Sequence, residues 1–205
     1  MIADMNALLD YTRKRGEKRP ALKDRIVLER PGCSAIEAAL IMVKLPSMPN
    51  CYIDIVRDVH LDGKSIGYFQ LSPGSGNQLV DKLVQCNSES VTPMAKRFKV
   101  DGVYGVASWE ADPIGIVFKP IPFTVGQVVR YNSGNPQKNA AVLANDFLQF
   151  LLIAGNLDAI RDKYVDVNDV NAATKEFNEC LRLLNISCHP GMLSEWTAIA
   201  HVVFS

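Results

Sequence analysis

The sequence has no apolar run near the ~20 residues that a membrane-spanning helix needs. Its beginning, MIADMNALLDYTRKRGEKRP, also lacks the apolar segment behind a basic start that marks a secretory signal peptide. Lysine plus arginine and aspartate plus glutamate number 22 each, so no excess charge favours nucleic acid or an anionic membrane. We therefore expect a cytoplasmic protein that binds neither nucleic acid nor a membrane directly.

Metal-binding and disulfide patterns are missing as well. The cysteines are widely spaced, odd in number and without a CxxC pair; they are Cys33, Cys51, Cys86, Cys180 and Cys188. Only His189 adjoins a cysteine, and two adjacent residues rarely make a zinc site alone. The sequence therefore predicts free thiols in a reducing compartment, with no metal and no cofactor.

Two short stretches could carry chemistry of their own. Cys188-His189-Pro190 would place a thiol beside a base, and Gly74-Ser75-Gly76-Asn77 could cradle a phosphate. The first is typical of a loop with a buried cysteine, and the second lacks the lysine and the spaced glycines of a Walker motif. We expect two ordinary loops and no catalysis, while an enzyme with an unrecognised site stays an alternative.

The stretch after Phe98 has the pattern of a β-meander. Residues 103–109, 114–118 and 127–131 are apolar runs rich in Val, Ile, Tyr and Trp, and Gly, Pro, Asp and Asn separate them. Asp112-Pro113 predicts the first turn, because proline has no N–H to donate to a neighbouring strand. We expect three neighbouring antiparallel strands here.

The hydrophobic period then changes from about 2 to about 3.6, which predicts a helix that covers the sheet. The residues that share its apolar face are Leu143, Phe147, Phe150, Leu151 and Ala154. Asn145 is the expected N-cap, and Gly155 is the expected C-terminal signal.

Two helices are predicted ahead of the meander. Ser34 followed three residues later by Glu37 is a capping-box pattern, so a helix should start there and end at Leu45-Pro46. Its buried face is expected to comprise Ile36, Ala39, Leu40 and Val43. A second amphipathic helix is predicted at residues 50–59.

The two ends of the chain have weaker patterns. Residues 1–11 are spaced as a short helix, 13–23 have the charge of a linker, and 25–29 could form a short strand. Near the other end, residues 171–184 predict a helix, and 196–204 predict a last strand or a packed tail.

The first half of the chain carries an ordered series of features. A helix containing Ile36-Glu37 is followed by a Leu45-Pro46 corner, a helix with an early Tyr52, a turn at Gly63 and an aromatic strand at Gly67-Tyr68-Phe69. In this order the features resemble the first half of the SMI1/KNR4 family, also called the SUKH superfamily. Each feature alone is a common packing or turn element, so the order carries the resemblance.

The second half is similar to the same family. ADPIGIVF resembles its Gly-Asp-Pro segment and the strand that follows, GQVVRY its G-x-V-x-x-Y strand, and LANDFLQFL its final helix. The resemblance spans residues 34–154. The chain departs from the family at Glu110-Ala111-Asp112, where only the aspartate of a Gly-Gly-Asp run remains, and in a longer spacer at 119–125.

This resemblance implies an α+β fold: a twisted, mainly antiparallel sheet with helices packed around it. The expected units are residues 1–33 (a helix and linker), 34–155 (the SMI1/KNR4-like domain) and 156–205 (a C-terminal helical extension packed on it). Many bacterial members resemble immunity proteins, which bind and neutralise a cognate toxin, often a nuclease. The resemblance therefore implies an immunity-type protein, with a regulatory or scaffold protein of the same fold as the alternative.

The candidate partner-binding residues cluster around one predicted turn. Trp109, Glu110 and Asp112 combine an aromatic ring with two carboxylates. Tryptophan is enriched at binding hot spots, and carboxylates would attract a basic toxin. Asp58 and Asp62 would add negative charge. The competing interpretations are that Trp109 packs in the core and that the acidic side chains are simply solvated.

Overall fold

A computed structural model describes residues 1–72, 78–90, 93–120, 122–135, 140–167, 169–186 and 190–205. Within these ranges the α-helices are α1 (Met5–Lys18), α2 (Lys23–Ile26), α3 (Ala35–Lys44), α4 (Asn50–Asp58), α5 (Leu79–Cys86), α6 (Pro93–Asp101), α7 (Phe147–Tyr164), α8 (Val170–Leu183) and α9 (Pro190–Phe204). The strands are β1 (Ser65–Ile66), β2 (Phe69–Gln70), β3 (Val103–Trp109), β4 (Asp112–Val117), β5 (Val128–Arg130) and β6 (Ala141–Ala144).

The six strands form one open antiparallel sheet in which each strand pairs with the next along the chain. The predicted meander is confirmed as β3, β4 and β5, with Val103 opposite Val117 and Ile116 opposite Val128. The predicted and observed strands agree because side chains alternate along a strand, so each apolar run presents apolar residues to a layer of helices. The expected α+β class with an antiparallel sheet is confirmed.

Helices cover both faces of the centre of the sheet. On one face, Ile114, Ile116 and Val128 join the large core that α4, α7 and α9 complete. On the other face, Val117 and Val129 join a smaller cluster with Phe98 of α6, among other residues. Strand β4 is therefore buried on both sides, which accounts for its continuous apolar run.

The covering helix α7 begins and ends at different residues from those predicted. Its N-cap is Asp146, whose carboxylate accepts a hydrogen bond from the Gln149 N–H at 2.7 Å, and Asn145 lies one residue earlier. The prediction that Gly155 ends the helix is wrong, because the helix continues to Tyr164. A Cβ on Gly155 would lie 2.6 Å from Cδ1 of Leu8, so the glycine lets α1 approach α7 closely.

Helix α1 replaces most of the predicted N-terminal linker. Its buried residues include Arg15 and Gly16, so one side of the charged stretch packs against the rest of the protein, while Arg13, Lys14 and Glu17 on the other side are exposed. Arg15 contacts two aspartates of α7: Nη1 lies 2.6 Å from Asp158, and Nε lies 2.8 Å from Asp162. Tyr11 donates a hydrogen bond to Asp158 at 2.9 Å. We call the charged and polar residues between these two helices the α1–α7 charge cluster; its members are Tyr11, Arg15, Arg19, Asp158, Arg161 and Asp162.

Three further local predictions are corrected. The strand expected at 25–29 is absent, since α2 reaches Ile26 and Glu29 makes a single bridge with His60. The first turn of the meander comprises Glu110-Ala111, while Asp112 already pairs with Trp109 as part of β4. The segment 196–204, predicted as a strand or a packed tail, is the later part of helix α9.

The aromatic strand predicted at Gly67-Tyr68-Phe69 is part of a short hairpin of β1 and β2. Gly67-Tyr68 forms the turn between β1 and β2, and Gly67 has a φ of 57°, a conformation that glycine tolerates best. The helices predicted at 50–59 and 171–184 are confirmed as α4 and α8. Ile2 and Ile199 belong to the same buried cluster, and the proposed division of the chain at residues 33 and 155 stays a prediction.

Candidate interaction surface

The hairpin that joins β3 to β4 holds three of the candidate residues. Glu110 is exposed at its tip with a φ of 52°, and Trp109 and Asp112 face each other across the first pair of the ladder. Asp112 accepts hydrogen bonds at 2.8 Å from the N–H and from the hydroxyl of Ser133. The structure therefore brings Trp109, Glu110 and Asp112 together, but in three different environments.

Trp109 lies in the core, with 8% of its surface exposed. Its ring stacks on Phe69 at a centroid distance of 6.5 Å, and the guanidinium of Arg130 lies 4.7 Å from its centroid. Among the described residues its indole N–H has no hydrogen-bond acceptor. The competing interpretation of Trp109 as a packing residue therefore fits its position, and it offers a partner little contact area.

Arg130 joins the hairpin to α9. Its Nη1 lies 3.5 Å from Asp112, and its Nη2 contacts Glu195. Two carboxylates thus share one guanidinium, and the exposed Glu110 adds a third negative charge. With three carboxylates, on Glu110, Asp112 and Glu195, and the one guanidinium of Arg130, this end of the hairpin has a net negative charge. The sequence predicted negative charge here from Glu110 and Asp112 alone.

Asp58 and Asp62 belong to separate local ion pairs. Asp58, at the end of α4, lies 2.7 Å from Arg30, and both side chains are well exposed. Asp62, in the turn before β1, lies 2.5 Å from Lys82 of α5. Each carboxylate therefore has a cationic neighbour, and an exposed pair such as that of Asp58 contributes about 0–1 kcal/mol.

A surface that sequence reasoning missed lies on α3. The helix begins as predicted, with reciprocal hydrogen bonds between Ser34 and Glu37, and these hydrogen bonds lower the pKa of the Glu37 carboxyl. Its buried residues are Ala38 and Ile41, whereas the predicted inner face points to solvent. Ile36 is 81%, Leu40 39% and Val43 75% exposed.

These three residues recur at positions i, i+4 and i+7, so they form a single row along the helix. We call Ile36, Leu40 and Val43 the α3 stripe. The sequence could not distinguish the stripe from the buried side, because AIEAALIMVK carries apolar residues on both sides. A continuous exposed apolar row is typical of an interaction site.

A cleft of about 240 Å³ gathers groups that could in principle react, among them Cys33, Glu37, His60 and Asp62. Burial raises the pKa of the Cys33 thiol, and the negative charge of Glu37 raises it further. A thiol with a raised pKa is a poor nucleophile. No group of His, Cys, Asp and Glu within the described ranges is arranged to hold a metal ion.

Gly74-Ser75-Gly76-Asn77 and the Cys188-His189 pair lie outside the described residues. In the part of the chain that is described, no helix combines the length and the apolar character needed to cross a membrane. Comparison of the chain with protein-family models, with curated proteins and with solved structures finds no match.

Proposed function

We propose that the protein binds and neutralises a cognate toxin in the manner of the SMI1/KNR4-type immunity proteins that its sequence resembles, and that the α3 stripe is the centre of the contact surface. The observation that carries the proposal is the exposure of this stripe on a helix whose first turn is fixed by a capping box. Large apolar side chains held in a fixed geometry lose little conformational freedom on binding.

The surroundings of the stripe support a protein partner. Helix α4 packs beside α3, and its polar face exposes Asp54, Arg57 and Asp58, the last of which pairs with Arg30. An apolar centre beside charged residues is the arrangement of most specific protein interfaces. The proposed partner is therefore a protein with an apolar patch and a polar rim, and the complex is stoichiometric.

The stripe is tested by the double variant Ile36→Asp with Val43→Asp. We expect its dissociation constant for the toxin encoded by the adjacent gene to rise about 1,000-fold, mainly through a faster off-rate, because hot-spot residues account for about 2 kcal/mol or more each and the variant changes two of them. The dissociation constant and the off-rate are measured with one protein immobilised on a sensor. Protection is measured as the survival of cells that co-express the toxin.

The matched control is Val202→Asp, since Val202 is 57% exposed on α9, a different helix from the one that carries the stripe. It should bind and protect like the wild type. Unchanged affinity of the stripe variant would remove α3 from the contact surface. Protection at strongly substoichiometric protein would contradict neutralisation by binding, and capture of a partner other than the toxin would favour the regulatory alternative.

The negative charge at the β3–β4 hairpin predicts a separate kinetic effect. Glu110→Lys reverses an exposed charge, and we expect it to lower the association rate for a basic toxin several-fold at low salt, because long-range attraction acts on encounter. The off-rate should stay unchanged. Measuring the association rate at two salt concentrations checks this, since the difference from wild type should shrink as salt screens the charge.

Glu17→Lys is the control for Glu110→Lys, because Glu17 is also exposed but forms its ion pair on α1. An equal loss of association rate in both variants would mean that total charge matters rather than the hairpin. An association rate that does not respond to Glu110→Lys would remove the hairpin from the proposal while leaving the α3 stripe untouched.

A further inference from the structure

A larger cleft, of about 340 Å³, lies where the last turns of α7 meet the start of α8 and the end of α9. Small-ligand pockets in proteins have volumes of roughly 300–1,000 Å³, so this cleft could enclose a compact molecule. Arg19 and Arg161 line it, and its aromatic walls are Tyr68, Tyr164 and Phe204. Cationic hydrogen-bond donors and aromatic rings therefore line the same cleft.

The guanidinium of Arg161 lies over the Tyr68 ring and is weakly paired. It lies 5.0 Å from the centroid of Tyr68, and its Nη2 is 3.3 Å from Asp162 and 3.5 Å from Asp158. Charge-assisted N–H···O bonds are usually about 2.7–2.9 Å long. Among the described residues all these contacts belong to Nη2, which leaves Nε and Nη1 of Arg161 as donors without a protein acceptor.

The α1–α7 charge cluster explains why Arg161 is weakly paired. Arg15 makes the short contacts with both aspartates, 2.6 Å to Asp158 and 2.8 Å to Asp162, and Arg19 lies 3.2 Å from Asp162. Counting Arg161, three guanidinium groups share two carboxylates. One positive charge is therefore in excess, and the arginine with the longest contacts is one that lines the cleft.

Two acidic side chains also line the cleft: Asp162, which pairs with Arg15 and Arg19, and Asp169. Asp169 serves as the N-cap of α8 and accepts a hydrogen bond from the Ala172 N–H at 2.9 Å. Its negative charge is thus directed at the positive end of the α8 helix dipole. Among the described residues Asp169 forms no ion pair with Arg161, so it does not occupy the donors of that guanidinium.

The aromatic walls are fixed by their own contacts. The Tyr164 hydroxyl donates a hydrogen bond to Glu176 at 2.9 Å, and Phe204 packs edge-to-face on Phe177 at 6.1 Å. Tyr68 is positioned by the tight β1–β2 turn and by Arg161. The walls are therefore held in place before any ligand enters, which reduces the entropy lost on binding.

We propose that this cleft binds a small organic anion with a planar apolar body, such as an aromatic carboxylate. The carboxylate would accept hydrogen bonds from Nε and Nη1 of Arg161, and the ring would lie against the aromatic walls. This site is separate from the α3 stripe and does not depend on the toxin-binding proposal.

The test titrates four probes into the full chain at low salt and follows backbone amide signals by NMR. Benzoate, which has both ring and charge, should bind with a dissociation constant of about 1 mM and shift the amides of Tyr164, Val165 and Ala173. Benzyl alcohol and acetate, which each lack one feature, should bind at least several-fold more weakly. Benzylamine carries the opposite charge and should bind most weakly.

Two variants and one control attribute the binding to the cleft. Arg161→Gln should weaken benzoate binding about tenfold, and Val170→Trp should weaken it similarly by filling the cleft without changing its charge. Arg182→Gln, which removes an exposed arginine of α8 paired with Glu179, should bind benzoate like the wild type. Thermal melts confirm that each variant is folded, and Val170→Trp keeps the test valid if Arg161→Gln is unfolded.

Three results would overturn the proposal. Benzylamine could bind as tightly as benzoate, which would remove the role of the guanidinium. Benzoate could bind the folded Val170→Trp variant as tightly as the wild type, which would place it elsewhere. Finally, titration of benzoate to tens of millimolar could shift no amide around the cleft, which would mean that the cleft does not bind aromatic anions.

Discussion

Replacing Arg15 by alanine should lower the free energy of unfolding by about 3–5 kcal/mol, the usual cost of leaving one partner of a buried ion pair without the other. Arg15 and Asp158 are both buried, and their contact of 2.6 Å joins α1 to α7. In the variant, Asp158 would keep only the longer contact with Arg161 and the hydrogen bond from Tyr11. Urea denaturation monitored by circular dichroism measures the loss.

The loss should also depend on pH. Burial raises the pKa of the Asp158 carboxyl above its ordinary value of 3.8, while Arg15 and Arg161 oppose this shift. Without Arg15 the folded-state pKa rises further. Below pH 3.8 the carboxyl is protonated in both folded and unfolded states, so the stability difference is smallest there. As pH rises from the folded-state pKa of the wild type towards the higher one of the variant, Asp158 loses its proton in the folded wild type only, and the variant becomes progressively less stable than the wild type.

The control is Arg13→Ala on the opposite, exposed side of α1. Arg13 pairs with Asp10 and Glu17 at the surface, so its loss should cost well under 1 kcal/mol. Adding Asp158→Asn to Arg15→Ala should restore part of the stability, because the buried charge is then removed. Equal losses for Arg13→Ala and Arg15→Ala, or a loss that does not change between pH 4 and pH 7, would contradict this account.

The importance of Arg15 shows why the packing of residues 13–23, predicted as a linker, could not be read from the sequence. A run rich in lysine and arginine is usually solvated, and the partner that buries Arg15 lies 147 residues away at Asp162. No local pattern contains that information. The same limit applies to Gly155, whose close contact with Leu8 outweighs the tendency of glycine to end a helix.

Predictions succeeded where the signal was local. The β3–β5 meander follows from side-chain alternation, and the start of α3 follows from the Ser34–Glu37 capping box. The candidate site depended on burial, which is not local. Trp109 lies in the core because Phe69 and Arg130 both contact its ring, and the α3 stripe is exposed because the other side of the helix meets the core.

Trp196→Ala should lower the free energy of unfolding by about 3–5 kcal/mol, the usual range for removal of a large buried ring. Trp196 is fully buried on α9, and its ring lies 5.7 Å from that of Phe69, 6.3 Å from Phe150 and 6.2 Å from Phe177. It therefore joins the last helix to the sheet, to α7 and to α8. A free energy of unfolding within about 0.5 kcal/mol of the wild-type value would mean that α9 contributes little to the core.

The indole N–H of Trp196 has a specific acceptor. It donates a hydrogen bond of 2.7 Å to the carbonyl of Leu143, which is the extra residue where the register between β5 and β6 shifts. A residue at such a bulge is left unpaired by the neighbouring strand, so the tryptophan satisfies a carbonyl that the sheet does not. Trp196→Phe should consequently cost about 1–3 kcal/mol for the unsatisfied carbonyl, in addition to any packing change.

Trp109→Phe provides the matched comparison, because these are the two tryptophans of the chain and both are buried. The Trp109 N–H has no acceptor among the described residues, so phenylalanine there removes a buried donor without breaking a hydrogen bond. Each variant retains one tryptophan as a fluorescence reporter of unfolding. We expect Trp196→Phe to be the less stable of the two by at least about 1 kcal/mol, and equal stability would show that the bond to Leu143 contributes nothing net.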